Sequence, residues 1–170
     1  MSPLTILEKS WNIILGVFPE RAWIRSVQIQ DALMAWLGVQ IASHAILALS
    51  GMPVTPQSIV FNAVIAVVYL GLVVGIGTFI LNRYAAEKFT YQEILALDVV
   101  LTAASSLIFA IVSFAQFKVG LMGASILGLA SFAFMIFMLF RMQTGISLVA
   151  NITKGQAALV IILPMIPIML

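Results

Sequence analysis

Asp98 heads the group of residues best suited to chemistry in this chain. Thr102, Ser105 and Ser106 follow it at i+4, i+7 and i+8, the spacing that sets side chains on one face of a helix. The surrounding sequence is apolar, and an ionisable group inside a bilayer is costly enough to mark an ion path, a proton relay or a pairing role. A carboxylate with hydroxyls one and two turns along suits a proton or cation site. The competing reading is a shallow carboxylate, about one turn into its segment, that snorkels to the headgroups or pairs with Arg83, Lys88 or Arg141. That reading is the simpler and is the expectation.

Gln40 and His44 form a second polar pair at i, i+4, with Ser43 beside them. His44 is the only histidine and the chain has no cysteine, so neither a zinc-type ligand set nor thiol chemistry can be assembled. A histidine hydrogen-bonded between helices, with Asn62 and Tyr69 as partners, is expected over a proton relay. By rise per residue Asp98 and His44 lie ~15 Å or more apart in depth, so these groups are not expected to form one site. Asp31, at the start of an apolar segment, reads as an acid facing a helix N-terminus.

The elements that must hold these residues are membrane helices. The chain of 170 residues is 63% hydrophobic and only 8% charged, with a mean hydropathy of +1.18. A soluble domain carries about 25% charged residues, so the excess apolar surface needs lipid as its solvent. Five apolar segments fall at about 29–49, 59–81, 94–114, 119–140 and 157–170. The first four reach the ~20 residues that a ~30 Å hydrocarbon layer requires. The fifth is shorter and holds Pro164 and Pro167. The fold class predicted is all-α: a polytopic bundle of five transmembrane helices forming a single domain over 1–170.

Residues 1–28 precede the first span. Ser2-Pro3 is a helix-start signal. Leu4, Leu7, Trp11, Ile14, Leu15 and Phe18 then recur at three- and four-residue spacing, with Thr5, Glu8, Lys9 and Asn12 opposite. This predicts an amphipathic helix lying in the membrane interface, or packed across the cytoplasmic ends of the bundle. No cleavable leader is expected, because five charges interrupt these residues.

Orientation follows from the cations. Lys9, Arg21, Arg25, Arg83, Lys88, Arg141 and Lys154 fall on the side of the N-terminus and only Lys118 on the other. The positive-inside rule then sets the N-terminus in the cytoplasm and the C-terminus outside. The stretch 82–106 becomes the cytoplasmic elbow of the bundle, and a plasma membrane is the natural host.

Small residues mark candidate helix contacts. Gly71 and Gly75 form a GxxxG pair, and Gly120, Ala124 and Gly128 recur at four-residue spacing. Such faces let backbones approach in lipid. Packing within the monomer is the expectation, with a dimer face as the alternative. No catalytic motif, internal repeat or cofactor fingerprint is present, and the scattered cations do not make a nucleic-acid surface. An enzyme is not expected, nor any cofactor or metal.

The layout resembles the Yip1-domain family of prokaryotes. Pro19 and Trp23 lead into the first span, the link 85–93 is similar to the family's short polar segment before its third helix, and 148–157 is similar to its penultimate polar link. Ala85-Ala86 stand where the family commonly has glycines. The Asp-Leu-Tyr-Gly-Pro motif of eukaryotic members is absent, so their GTPase and vesicle roles are not implied. The resemblance implies a non-enzymatic integral membrane protein acting in membrane organisation or in assembly with membrane-protein partners or a second copy. The alternative is a small transporter or ion-coupled permease subunit using Asp98.

Overall fold

A computed structural model describes residues 2–51 and 56–165, and within 56–165 leaves aside the side chains at 56, 58–63, 65, 66, 69 and 165. The described residues contain helices and no strand. In order these are α1 (Pro3–Ile14), α2 (Arg21–Ser26), α3 (Ile29–Leu49), α4 (Pro56–Tyr84), α5 (Tyr91–Lys118), α6 (Leu121–Ala150) and α7 (Lys154–Ile162), followed by a single 3₁₀ turn over Leu163–Met165. Among the described residues three helices, α3, α5 and α6, are long and apolar enough to cross a membrane, and Leu70–Tyr84 of α4 forms a shorter apolar stretch.

Helix ends follow local chemistry. Ser2 caps α1, its hydroxyl accepting from the Thr5 amide at 3.3 Å, with Pro3 in the first turn. Thr90 and Glu93 form a reciprocal capping box that starts α5, and Thr153 and Gln156 do the same for α7. These satisfy amides that a helix start leaves without partners. α6 ends at Asn151, whose φ of 51° is left-handed, a conformation asparagine tolerates better than most residues.

The helices run beyond the apolar segments. α6 continues ten residues past Phe140, so Arg141, Gln143 and Thr144 are helical rather than part of a link. Hydropathy marks where lipid contact ends, whereas a helix ends where a stop signal stands, here Asn151. α7 is nine residues, about 14 Å of rise, which does not cross a ~30 Å layer by itself; residues 166–170 of the fifth apolar segment lie outside the described residues.

α5 is the axis of the packed region. It touches α3 most extensively, and also α1, α2, α4 and α6. Val99 and Val100 in its first half are fully buried, as are Ile24, Ala32, Val74 and Leu81 around it. α3 runs parallel to α5: Gln92 near the start of α5 donates to the Val27 carbonyl just before α3 at 2.6 Å, and the middles of the two helices face one cavity.

α1 corrects two expectations. Its face against the protein is Ile6, Ser10 and Ile13, all buried, while Leu4, Trp11 and Leu15 are exposed. The helix has apolar groups on two sides, and the sequence pattern singled out the outer one. It also lies against the middle of α5 rather than across the helix ends. The Ser10 hydroxyl accepts from the amide of Ala104 at 2.8 Å in a buried contact, near the midpoint of the 28-residue α5.

Among the described residues the tightest approaches to glycine are at positions the spacing did not single out. A Cβ at Gly71, Gly75 or Gly120 would meet no described atom within 4 Å, and one at Gly128 only Gln116 at 3.7 Å. Ala124 is half-buried. The close crossing is at Gly145, where a Cβ would sit 2.9 Å from Leu101 and 3.0 Å from Phe18. Gly16 is constrained twice, by a φ of +90° and by the Arg141 guanidinium 2.8 Å from where its Cβ would be. Spacing shows that a helix can be approached closely, but not that a neighbour is there.

Candidate functional site

Two polar assemblies are built around α5. One is an ion-pair clamp at its start, the other a cavity along its flank.

The clamp joins α2 to the α4–α5 link. α1 ends at Ile14, short of Pro19 where the sequence pattern placed its break, and after the link α2 starts with Arg21 and carries Arg25 one helical turn on. Arg25 donates through Nε to Glu93 at 2.8 Å and through a terminal nitrogen to Glu87 at 2.9 Å. Arg21 donates to the carbonyls of Lys88 at 2.8 Å and Glu87 at 3.3 Å, and its guanidinium lies 3.6 Å from the centre of the Phe89 ring. A second ion pair links Arg21 to Glu87 at 3.2 Å, while its Nε stands 3.6 Å from Glu93, near enough for attraction but not for a hydrogen bond.

Glu93 is the centre of this arrangement. Its side chain is 6% exposed, one carboxylate oxygen closes the cap on Thr90 at 2.7 Å, and the other faces both arginines. Glu93, then Glu87, hold the Arg25 guanidinium above its ordinary range by hydrogen bonding to its charged form. The link is fixed from the other side by Asn82, which exchanges hydrogen bonds with both the amide and the carbonyl of Phe89, at 2.6 and 2.9 Å. Lys88 donates to the Asn82 carbonyl at 2.6 Å.

Sequence reasoning passed over this clamp. The Thr90-x-x-Glu93 capping box was a readable signal. The pairing with arginines more than sixty positions away had none.

The cavity lies between α3 and α5 and has a volume of about 220 Å³. Gln40, Asp98, Thr102, Ser105 and Ser106 supply its polar lining. Gln40 thus shares a cavity with the Asp98 stripe, whereas His44, on whose distance from Asp98 the expectation of separate sites rested, does not. Because α3 and α5 run parallel, Gln40 comes alongside the hydroxyl stripe. The cavity's own length along α5, from Asp98 to Phe109, is about 16 Å and spans the difference in depth between Gln40 and Asp98.

His44, one turn further on, is not among the lining residues. Its Nδ1 is 2.8 Å from the Gln40 backbone carbonyl; a carbonyl only accepts, so this ring nitrogen carries the proton. The side chains of Asn62 and Tyr69, its expected partners, lie outside the described residues. Asp31 is half-buried in the first turn of α3 and lines no part of the cavity.

Asp98 also borders a smaller apolar cavity of about 50 Å³ on the other flank of α5, with Gly77, Leu101, Met142 and Val160. None of the expected cationic partners reaches it. Lys88 is engaged at Asn82, and Arg141 stacks at 4.9 Å on Phe137 with its Nε buried and without a described hydrogen-bond partner. Among the described residues Asp98 has no ion pair. The lining is therefore rich in oxygen and holds a single carboxyl group. Such a set can attract a cation or exchange a proton, but offers no cluster of ligands for a structural metal; no group of three His, Cys, Asp or Glu that could hold one occurs among the described residues.

No family model, curated protein or solved structure matches this chain. The reading of the site rests on its own chemistry, and the Yip1-domain resemblance rests on the layout of the chain.

Proposed function

We propose that this chain is a non-enzymatic polytopic membrane protein whose working element is the Asp98 cavity, acting as a small transporter or ion-coupled permease subunit. The observation that carries this reading is that polar groups from two helices share one cavity with a carboxylate that no described side chain neutralises. An intramembrane carboxylate is expensive unless it is paired or used. In this reading five segments cross the bilayer, the N-terminus is cytoplasmic and the C-terminus outside. Seven of the eight lysines and arginines on the N-terminal side support that orientation, in a plasma membrane.

A second reading is favoured by Gly71, Gly75 and Gly120, where an added Cβ would meet no described atom within 4 Å. There the protein is a Yip1-like organiser that docks a membrane-protein partner or a second copy on its small-residue faces. One pair of measurements separates the two. In liposomes loaded with a pH-sensitive dye, the wild-type chain is expected to couple an imposed sodium gradient to proton movement, and Asp98→Asn is not. Equal traces from wild type, variant and empty liposomes reject the transport reading; a stoichiometric partner recovered from native membranes in mild detergent then supports the assembly role.

A further inference from the structure

We propose that the cavity between α3 and α5 binds a small organic ammonium ion, an inference that rests on reading this cavity as the working site. Thr102 donates to the Asp98 carbonyl at 2.8 Å, and Ser105 and Ser106 both donate to the Thr102 carbonyl, at 2.8 and 3.0 Å. A hydroxyl has one proton to give. With all three committed to the helix backbone, what these groups offer the cavity is lone pairs. Gln40 adds an amide, whose oxygen can accept as well. Among the described residues the lining contains no lysine or arginine, so it repels anions and attracts a donor-bearing or cationic guest.

The charge count then selects among cations. Among the described residues Asp98 is the only carboxylate on the lining, which matches one positive charge. A calcium-type site takes six to eight oxygens, with several carboxylates among them, and this cavity falls short. Size and walls decide between an alkali ion and an organic one. A volume of about 220 Å³ is several times the ~30 Å³ share of a water molecule, so a bare alkali ion would leave most of it to solvent. Trp36 and Phe109 also line it. Aromatic faces attract cations, and they favour alkylated ammonium groups, which bring apolar surface together with diffuse charge. A carboxylate at one end, acceptor-only hydroxyls along one side and two aromatic rings complement an ammonium head with small alkyl substituents.

The test uses the full chain in detergent, with radiolabelled choline as the probe in equilibrium dialysis. Saturable binding is expected, displaced by tetramethylammonium but not by the uncharged carbon isostere of choline. Asp98→Asn, nearly identical in shape, is expected to abolish it. Trp36→Ala should weaken binding about 5- to 30-fold, the range set by one cation–π contact, and Trp36→Phe should recover most of the loss. The elution profile and melting temperature of each variant report whether it is folded. Displacement by the uncharged isostere, or undiminished binding to folded Asp98→Asn, overturns the proposal. Absence of choline binding together with a sodium-driven proton flux that Asp98→Asn removes rejects the ammonium and keeps the carboxylate site. Insensitivity of both measurements to Asp98→Asn rejects both.

Discussion

α5 and α6 are neighbours of nearly equal apolarity, with mean hydropathies of 2.3 and 2.1 over their spanning windows, yet 61% of the α5 window is buried in the protein and only 6% of the α6 window. The first half of α5 is wrapped by α1, α2, α3 and the ends of α4 and α6. The first half of α6 exposes Leu121, Met122, Ile126, Leu129 and Phe132. The difference shows that hydropathy does not distinguish an apolar residue facing protein from one facing lipid, since lipid tails are as apolar as leucine. What marks the wrapped half is the hydrogen bonds that cross it, from Ala104 to Ser10 and from Gln92 to Val27, and the ion pairs at its base.

The contrast can be broken most sharply by truncation. Leu95→Ala removes a side chain that is 1% exposed and should cost about 2–5 kcal/mol of stability. Leu129→Ala, at 72% exposure, should stay within about 0.5 kcal/mol. Thermal unfolding of both in the same detergent measures the gap; similar losses would mean that the α6 face is covered by protein in solution.

Adding volume sharpens the same comparison. Gly145→Val forces a side chain against Leu101 and Phe18 and is expected to cost about 1–3 kcal/mol, whereas Gly75→Val meets open space and should leave the monomer's melting temperature unchanged. If Gly75→Val instead abolishes a dimer seen for wild type by cross-linking in membranes, the open face is an interface between copies.

Removing one crossing polar contact is a smaller step. Ser10→Ala should lower stability by about 1 kcal/mol and Thr90→Ala, which opens the cap of α5, by a similar ~1 kcal/mol. No loss on Ser10→Ala would show that α1 is held by its apolar face alone. The smallest effect belongs to the exposed arm of the clamp. Glu87→Gln leaves Glu93 to hold both arginines, so limited proteolysis between α1 and α2 should change only slightly, and less still in high salt. Glu93→Gln loses the buried centre and should expose that segment clearly.

Much of the architecture was legible from residue order. The all-helical class follows from long apolar runs separated by turn residues, and the starts of α1 and α3 follow from Ser2-Pro3 and from the step in polarity after Gln28. The hydroxyl stripe from Asp98 to Ser106 was readable because helical periodicity is a local property. The inner face of α1 was not, because Ile6, Ser10 and Ile13 become an inside only when α5 stands against them. Arg21 and Arg25 looked like generic cytoplasmic cations until the elbow folded back onto α2.

Residue order alone determined which faces of each helix are polar, which positions end a helix and which residues are costly in a bilayer, because these depend on neighbours within one or two turns. Tertiary structure decided that Gln40 shares a cavity with Asp98, that Gly145 and not Gly75 is a close crossing, and that one of two equally apolar helices is enclosed. Those outcomes depend on the parallel register of α3 and α5 and on which helices meet, relations between segments some sixty residues apart for which the local sequence carries no period or signal.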